Sequence, residues 1–272
     1  MSAQRLRVGT RGSALALAQA RQVIAALRAL DPTLRAEEVI VQTSGDRSSA
    51  SLRDIGGQGA FTRELEVALL DGRVDVAVHS LKDLPSSLPE GLVVAATPPR
   101  EDPRDVLVPR TAADVTTLPP GARVGTGSLR RRAQLLALRP DLRVADIRGN
   151  VDTRLRKLEA GTYDALVLAA AGLRRLGRTD LVERYALPLE LMVPAPAQGI
   201  LGLECRADDL DTVALLRRLN HAPTFAAAAA ERALLRRLGA GCRLPRGRPR
   251  HRGRGGAHPA RPRAGCQWLP NR

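Results

Sequence analysis

Residues 74–85 read VDVAVHSLKDLP. Val74, Val76 and Val78 alternate with Asp75, Ala77 and His79, the period of two that marks a β-strand. Pro85 has no N–H to give to a ladder and pushes Leu84 toward extended backbone, so the strand ends before it. Lys82 and Asp83 then place a cation and a carboxylate at the mouth of a strand, where open α/β folds carry their chemistry. On spacing alone the same pair also reads as a solvated turn with a surface ion pair, an interaction worth little.

Upstream, Leu6–Gly9 reads as a strand, followed by Thr10-Arg11-Gly12-Ser13 and a helix over Ala14–Leu30. Ser13 is a good N-cap, and Leu17, Ala20, Ile24 and Leu27 recur at helical spacing. A helix start with Arg11 beside it can hold a carboxylate or phosphate, although an ordinary capped helix looks the same. Val39–Thr43 reads as the next strand. Ser44–Gly59 is polar, with Gly56, Gly57 and Gly59 close together, and its length marks a flap over a site. Phe61, Leu65 and Leu69 mark a helix ending near Gly72, and Leu92–Ala96 is a further strand. This alternation predicts a largely parallel sheet covered by helices.

Thr97–Pro103 is a proline-rich break, read here as a crossing between domains. Beyond it a second α/β unit has strands at Asp105–Val108, Arg123–Thr126, Leu142–Ile147 and Tyr163–Ala170. Helices follow at Gly127-Ser128-Leu129-Arg130-Arg131-Arg132, running to about Leu138, and at Val151–Ala160, which carries Arg154 and follows Arg148-Gly149-Asn150. With Gly172-Leu173-Arg174-Arg175, three strand ends meet a small residue and arginine at a helix start. Each alone fits a solvated basic face; three together point to a surface for a polyanionic ligand. Met192–Gly199 is a second proline-containing break, and the apolar Ile200–Cys205 follows it. Paired breaks predict two α/β lobes joined by a double hinge, with a cleft between them. Phe225–Leu238 reads as an alanine- and arginine-rich helix ending at Gly239-Ala240-Gly241-Cys242.

The 272 residues suffice for more than one core, and 44% hydrophobic with 2% aromatic residues means cores of alanine, leucine and valine. No apolar run reaches membrane-spanning length and no secretory leader opens the chain, so the expectation is a cytoplasmic protein with no membrane partner. Cys205, Cys242 and Cys266 show no CxxC spacing, and no metal site is expected. Of the net charge of +15, eight arginines fall in residues 246–272, where there is no acid. The remainder of the chain is modestly basic and lacks aromatics on which bases stack, which argues against nucleic acid except through that basic tail.

Taken together these pieces resemble the porphobilinogen deaminase (hydroxymethylbilane synthase) family. The carrying stretches include RVGTRGSALALAQA (7–20), GGQGAFTRELEVALLDGRVDVAVHSLKDLP (56–85), VGTGSLRRRAQL (124–135), DIRGNVDTRL (146–155), PAPAQGILGLECR (194–206) and AERALLRRLGAGCRLP (230–245). The resemblance implies two periplasmic-binding-protein-like α/β domains joined by a double hinge, with a small third α/β domain. The expected boundaries are 1–98 with 199–218, then 103–192, then 219–245 as the start of the third, with 246–272 a disordered basic tail. It implies a cytoplasmic monomer that condenses porphobilinogen units, with loss of ammonia, into a linear tetrapyrrole. The growing oligopyrrole is primed by a dipyrromethane cofactor held covalently at Cys242.

By position the resemblance makes Asp83 the catalytic carboxylate. It assigns Lys82, Ser80, Thr126, Gly127, Ser128, Arg130 and Arg131 to the cofactor. It assigns Arg11, Ser13, Arg148, Gly149, Arg154, Arg175 and Phe61 to substrate, and expects Gly172 to let backbone N–H groups approach the same ligands. A carboxylate suits the reaction, because loss of the amine leaves a cationic azafulvene and pyrrole attack yields a second cation. The acetate and propionate of each pyrrole suit the arginines. Two departures stand out: Gln58 occupies a flap position that is often lysine in the family, and the family pattern stops after Pro245. RGRPRHRGRGGAHPARPRAGCQWLPNR (246–272) reads like a shifted frame of GC-rich codons, which predicts weak cofactor loading, aggregation and little activity. The alternative function is a non-catalytic two-lobed binding protein for a small polycarboxylate, which needs neither Asp83 nor Cys242.

Overall fold

Strand β1 (Arg5–Thr10) buries Leu6, Val8 and Thr10 and leads into helix α1 (Ala14–Leu30). The buried stripe of α1 is Ala16, Ala20, Val23, Ile24 and Leu27, and Ser13 Oγ accepts from the Ala16 amide at 3.3 Å. The computed structural model describes residues 5–44, 62–111 and 114–238. The expected flap over 44–59 except Ser44, together with Phe61, Cys242, Cys266 and the basic tail, lies outside the described residues.

The second strand, β2, is Arg35–Ile40 and not Val39–Thr43. It pairs in parallel with β1 from Arg5↔Arg35 to Thr10↔Ile40 and forms the sheet edge. There Glu37 and Glu38 are half-buried and pair with Arg5 and Arg21, so the strand lacks the clean apolar alternation of a buried one. Helix α2 (Arg63–Leu70), β3 (Val76–Ser80), β4 (Leu92–Ala96) and β9 (Leu201–Arg206) complete the first lobe's sheet, ordered β2-β1-β3-β9-β4. The second sheet contains β5 (Asp105–Pro109), β6 (Arg123–Gly125), β7 (Arg143–Ala145) and β8 (Ala165–Ala169), ordered β5-β8-β6-β7.

Each sheet is parallel except for one strand: β9 runs against β3 and β4, and β5 runs against β8. Both reversed strands are the first after a crossing. A chain arriving from the other lobe enters where the parallel strands end, so it runs opposite to them. The second lobe adds helices α3 (Leu129–Leu138), α4 (Val151–Glu159), α5 (Ala170–Arg175) and α6 (Thr179–Tyr185). Helix α5 begins directly at the end of β8, so Arg174 and Arg175 close that helix instead of opening it. There they complement the negative helix end. Gly172 is the third residue of that helix, and a Cβ there would lie 3.4 Å from Leu15, so it serves close packing of α5 on α1.

Helices α7 (Leu210–Arg217) and α8 (Ala222–Arg237) follow the return to the first lobe. Ala228 of α8 packs with Leu81, Leu84, Ala197 and Ile200. The Arg232 guanidinium donates to the carbonyls of Leu84 and Pro85, at 3.2 and 2.6 Å. Glu231 accepts from Arg100 at 2.6 Å and from the Ala197 amide, so α8 grips both crossings. Cys205 is buried in the first lobe's core, where desolvation pushes its thiol up to about 11.

The crossings touch where Glu101 N donates to Gly199 O at 3.2 Å. Gly199 has φ +89°, and a Cβ there would stand 2.3 Å from the Glu101 carbonyl oxygen. Gly177 has φ +73° but open space around it. Gly199→Ala is therefore expected to lose about 3 kcal/mol or more in chemical denaturation, and Gly177→Ala about 1–2 kcal/mol from backbone strain alone. Equal losses would show that the crossings are not closely apposed.

Candidate active site

The turn that carries Lys82 and Asp83 is set by its neighbour. Strand β3 ends at Ser80, and one turn of 3₁₀ helix, Leu81–Asp83, follows. Leu81 is buried: its N–H donates to Ile200 O at 2.9 Å, and its side chain fills the space left by the missing Cβ of Gly202. With Leu81 anchored inward, Lys82 is half-buried and Asp83 exposed. Gln19 Nε2, from α1, donates to Ser80 Oγ at 2.8 Å. Behind the turn, the hydrogen bond between His79 Nε2 and Glu204 Oε2, 2.9 Å long and shut off from solvent, ties β3 to β9.

The facing side comes from the second lobe. Asp105, at the start of β5, has no exposed surface. It accepts from Arg130 at 2.7 Å and from Arg131 at 2.6 and 3.1 Å, while Arg131 also donates to Val167 O at 2.9 Å. Burial works against the Asp105 charge, but Arg131 and then Arg130 outweigh it and hold the carboxyl below its ordinary range. Arg130 and Arg131 stand on the first turn of α3, where Ser128 Oγ accepts from the Arg131 amide at 3.4 Å and Thr126 Oγ1 from the Ser128 amide at 3.2 Å. Thr126 and Ser128 thus hold the helix start that aims the arginines.

Gly149 has φ +108°, a backbone state that favours glycine, and its carbonyl accepts from Arg154 Nε at 2.8 Å. Arg175 donates to Gly199 O at 2.8 Å, and its Nε is buried without a partner. Burial lowers Arg154 and pulls Arg175 down to about 10, in Arg175 against the opposing attraction of Glu101. The two lobes share one electrostatic neighbourhood. Lys82, lowered chiefly by burial, feels Asp83, Arg131, Asp105 and Arg130. Arg154 feels Arg131, Arg148 and Asp83.

The structure therefore brings together Lys82, Asp83, Arg130, Arg131, Arg148 and Arg154, with Ser80 beside them. Arg11 and Ser13 sit at the start of α1, and Arg175 sits against the second crossing. Gln19, Asp105 and Gln198 escaped the sequence reading. Asp105 carries a signal, an acid at the head of the apolar run Val106-Leu107-Val108, but nothing local names its partners.

Comparison with known proteins shows what the chain is similar to. Residues 6–214 match the family model described as porphobilinogen deaminase, dipyromethane cofactor binding domain. A porphobilinogen deaminase of Desulforudis audaxviator is 55% identical over 241 residues, covering 88% of this chain and 78% of that protein. One from Syntrophus aciditrophicus is 52% identical over the same shares. In fold alone the chain is similar to the methionine binding protein MetQ, with TM-score 0.50 and 14% identity over 84% of this chain and 95% of that one. It is similar too to a lipoprotein of Bacillus subtilis, with TM-score 0.51 and 12% identity over 80% and 90%.

Arg131→Leu should cost about 3–5 kcal/mol, because it leaves a buried carboxylate short of its main partner. Arg148→Leu leaves no such group behind and should cost about 1 kcal/mol or less, like Arg217→Leu on the outer helix α7. Thermal and urea unfolding of the three variants checks this ranking; equal losses at all three would make the arginines a diffuse basic surface.

Proposed function

The chain belongs to the porphobilinogen deaminase family, and we propose that Asp83 and the cations facing it carry that family's reaction here. The protein is a transferase of tetrapyrrole synthesis, joining porphobilinogen units into linear hydroxymethylbilane with release of ammonia, and its cofactor is dipyrromethane. The observation that carries the site assignment is the convergence of one exposed carboxylate, Asp83, with Lys82, Arg131 and Arg154 from opposite lobes.

The donor set suits that cofactor. Every pyrrole ring of the cofactor and of its product carries an acetate and a propionate, and Arg154 and Arg175 are half-buried guanidiniums that donate to backbone carbonyls. Lys82, Arg130 and Arg131, with Ser80, Thr126, Ser128 and the Gly127 backbone, would hold the cofactor's carboxylates. Arg11, Ser13, Arg148, Arg154 and Arg175, with the Gly149 backbone, would hold those of the incoming unit. When bound, dipyrromethane supplies the free pyrrole position to which units are joined. Cys242 is its proposed point of attachment and Phe61 a further substrate contact.

Asp83 opposes the positive charge that develops on porphobilinogen as its C–N bond breaks and ammonia leaves. It then takes up the proton released when the new C–C bond restores the pyrrole, and its second oxygen accepts from pyrrole N–H. Asp83 in turn favours the charged form of Lys82 against its burial. The proposed division of the chain is 1–98 with 199–218, then 103–192, then 219–245 as the cofactor-carrying part. As the resemblance implies, the working state is a cytoplasmic monomer.

Asp83→Asn keeps the shape and removes the charge. Measured in a full-length context with a complete third domain, the change should lower porphobilinogen consumption and ammonia release at least about a hundred-fold, with binding retained. Near-normal turnover would remove Asp83 from the central role. Wild-type chain that binds porphobilinogen without consuming it, and carries no pyrrole adduct on Cys242, would favour the non-catalytic binding protein.

A further inference from the structure

Asp105 and Gln198 have no place in the reaction as described, yet both are shut away from solvent where the lobes meet. Gln198 stands in the second crossing between Ala197 and Gly199, with φ of +61° and +89°. Its backbone carbonyl accepts from Arg100 Nε at 2.9 Å. Its side-chain amide is oriented by chemistry: Nε2 faces only acceptors, Asp105 Oδ1 and Pro103 O at 2.8 Å each and Arg104 O at 3.4 Å. Oε1 is therefore turned to Lys82 Nζ, 3.4 Å away. A continuous run of hydrogen bonds passes from Lys82 on the first lobe, through the crossing, to Asp105 and on to Arg130 and Arg131 on the second.

We propose that Asp105 is a positioning residue for anion binding, orienting Arg130 and Arg131 directly and Lys82 through Gln198, so that carboxylates meet cations already in place. The identity of the ligand rests on the porphobilinogen reading; the geometry does not. The proposal has a sign opposite to that of a simple charge argument. Asp105 removes one positive charge from an anion-binding cleft, so by charge alone its loss should tighten binding. If it positions, its loss frees two arginine side chains that must be ordered again on binding, a weakening of about ten-fold to a hundred-fold.

The test is calorimetric titration of porphobilinogen into the full chain, with side-chain Nε–H spectra in which Arg130 and Arg131 are identified by their loss in Arg130→Lys and Arg131→Lys. In Asp105→Asn, binding should weaken by that factor, and both Nε–H signals should move to the positions of solvated arginines. Gln198→Ala should weaken binding less and leave the arginine signals in place. Unchanged or tighter binding in folded Asp105→Asn, or unmoved Nε–H signals, overturns the proposal. Asp105→Glu covers the case in which the asparagine variant does not fold: it keeps the charge but shifts it by one methylene, so wild-type affinity in it also overturns the proposal. Wild-type chain that does not bind porphobilinogen defeats the ligand reading, and the Nε–H spectra alone then decide the role of Asp105.

Discussion

Placing a carboxylate where water cannot reach it costs several kcal/mol unless its oxygens are fully met. Asp105 is met by three side chains from two elements, Arg130 and Arg131 of α3 and Gln198 of the second crossing. Each has further obligations. Arg131 reaches Val167 in β8, Arg130 reaches the Val193 carbonyl, and Gln198 reaches the first crossing at Pro103. Moving any one of them would leave the buried charge short. The start of α3, the end of the second lobe and both crossings are thereby fixed relative to one another, and the site inherits that rigidity.

Around this fixed point the cleft is built of cations in excess of their carboxylate partners. Asp105 neutralises one charge of the Arg130–Arg131 pair, and Arg154 and Arg175 donate to carbonyls that bear no full charge. Desolvation lowers the pKa of both, which means that their charged forms are held at some cost. A ligand carboxylate relieves that cost at once, so affinity for a polycarboxylate arises where the fold alone is least satisfied. Asp83 differs in being exposed.

The parts of this arrangement written in local pattern were legible in the sequence. The valines of 74–78 show the strand, Pro85 ends it, and the capping serines Ser13 and Ser128 mark helix starts that the structure contains. Strand β2 was displaced in the reading because an edge strand of Arg-Ala-Glu-Glu-Val-Ile shows no apolar alternation, while Val39-Ile40-Val41 beside it looks like a core strand. The reversed direction of β5 and β9 depends on the path between lobes, and no residue within them encodes it. Asp105 and Gln198 were missed because their meaning lies in partners up to 116 positions away. The substrate and cofactor assignments came through the family resemblance, since arginines after glycines fit any anion.

The cleft is expected to recognise its ligand through the ligand's carboxylates. Calorimetry on the full chain with porphobilinogen and with its dimethyl ester, in which both carboxylates are blocked and the ring is unchanged, tests it most directly. Each charge-assisted hydrogen bond is worth about 1.5–3 kcal/mol, so the ester should bind at least about a hundred-fold more weakly, and the gap should narrow with added salt. Affinities within about three-fold of each other, less than one such bond can account for, would contradict the account and leave the converging arginines without a ligand-binding role.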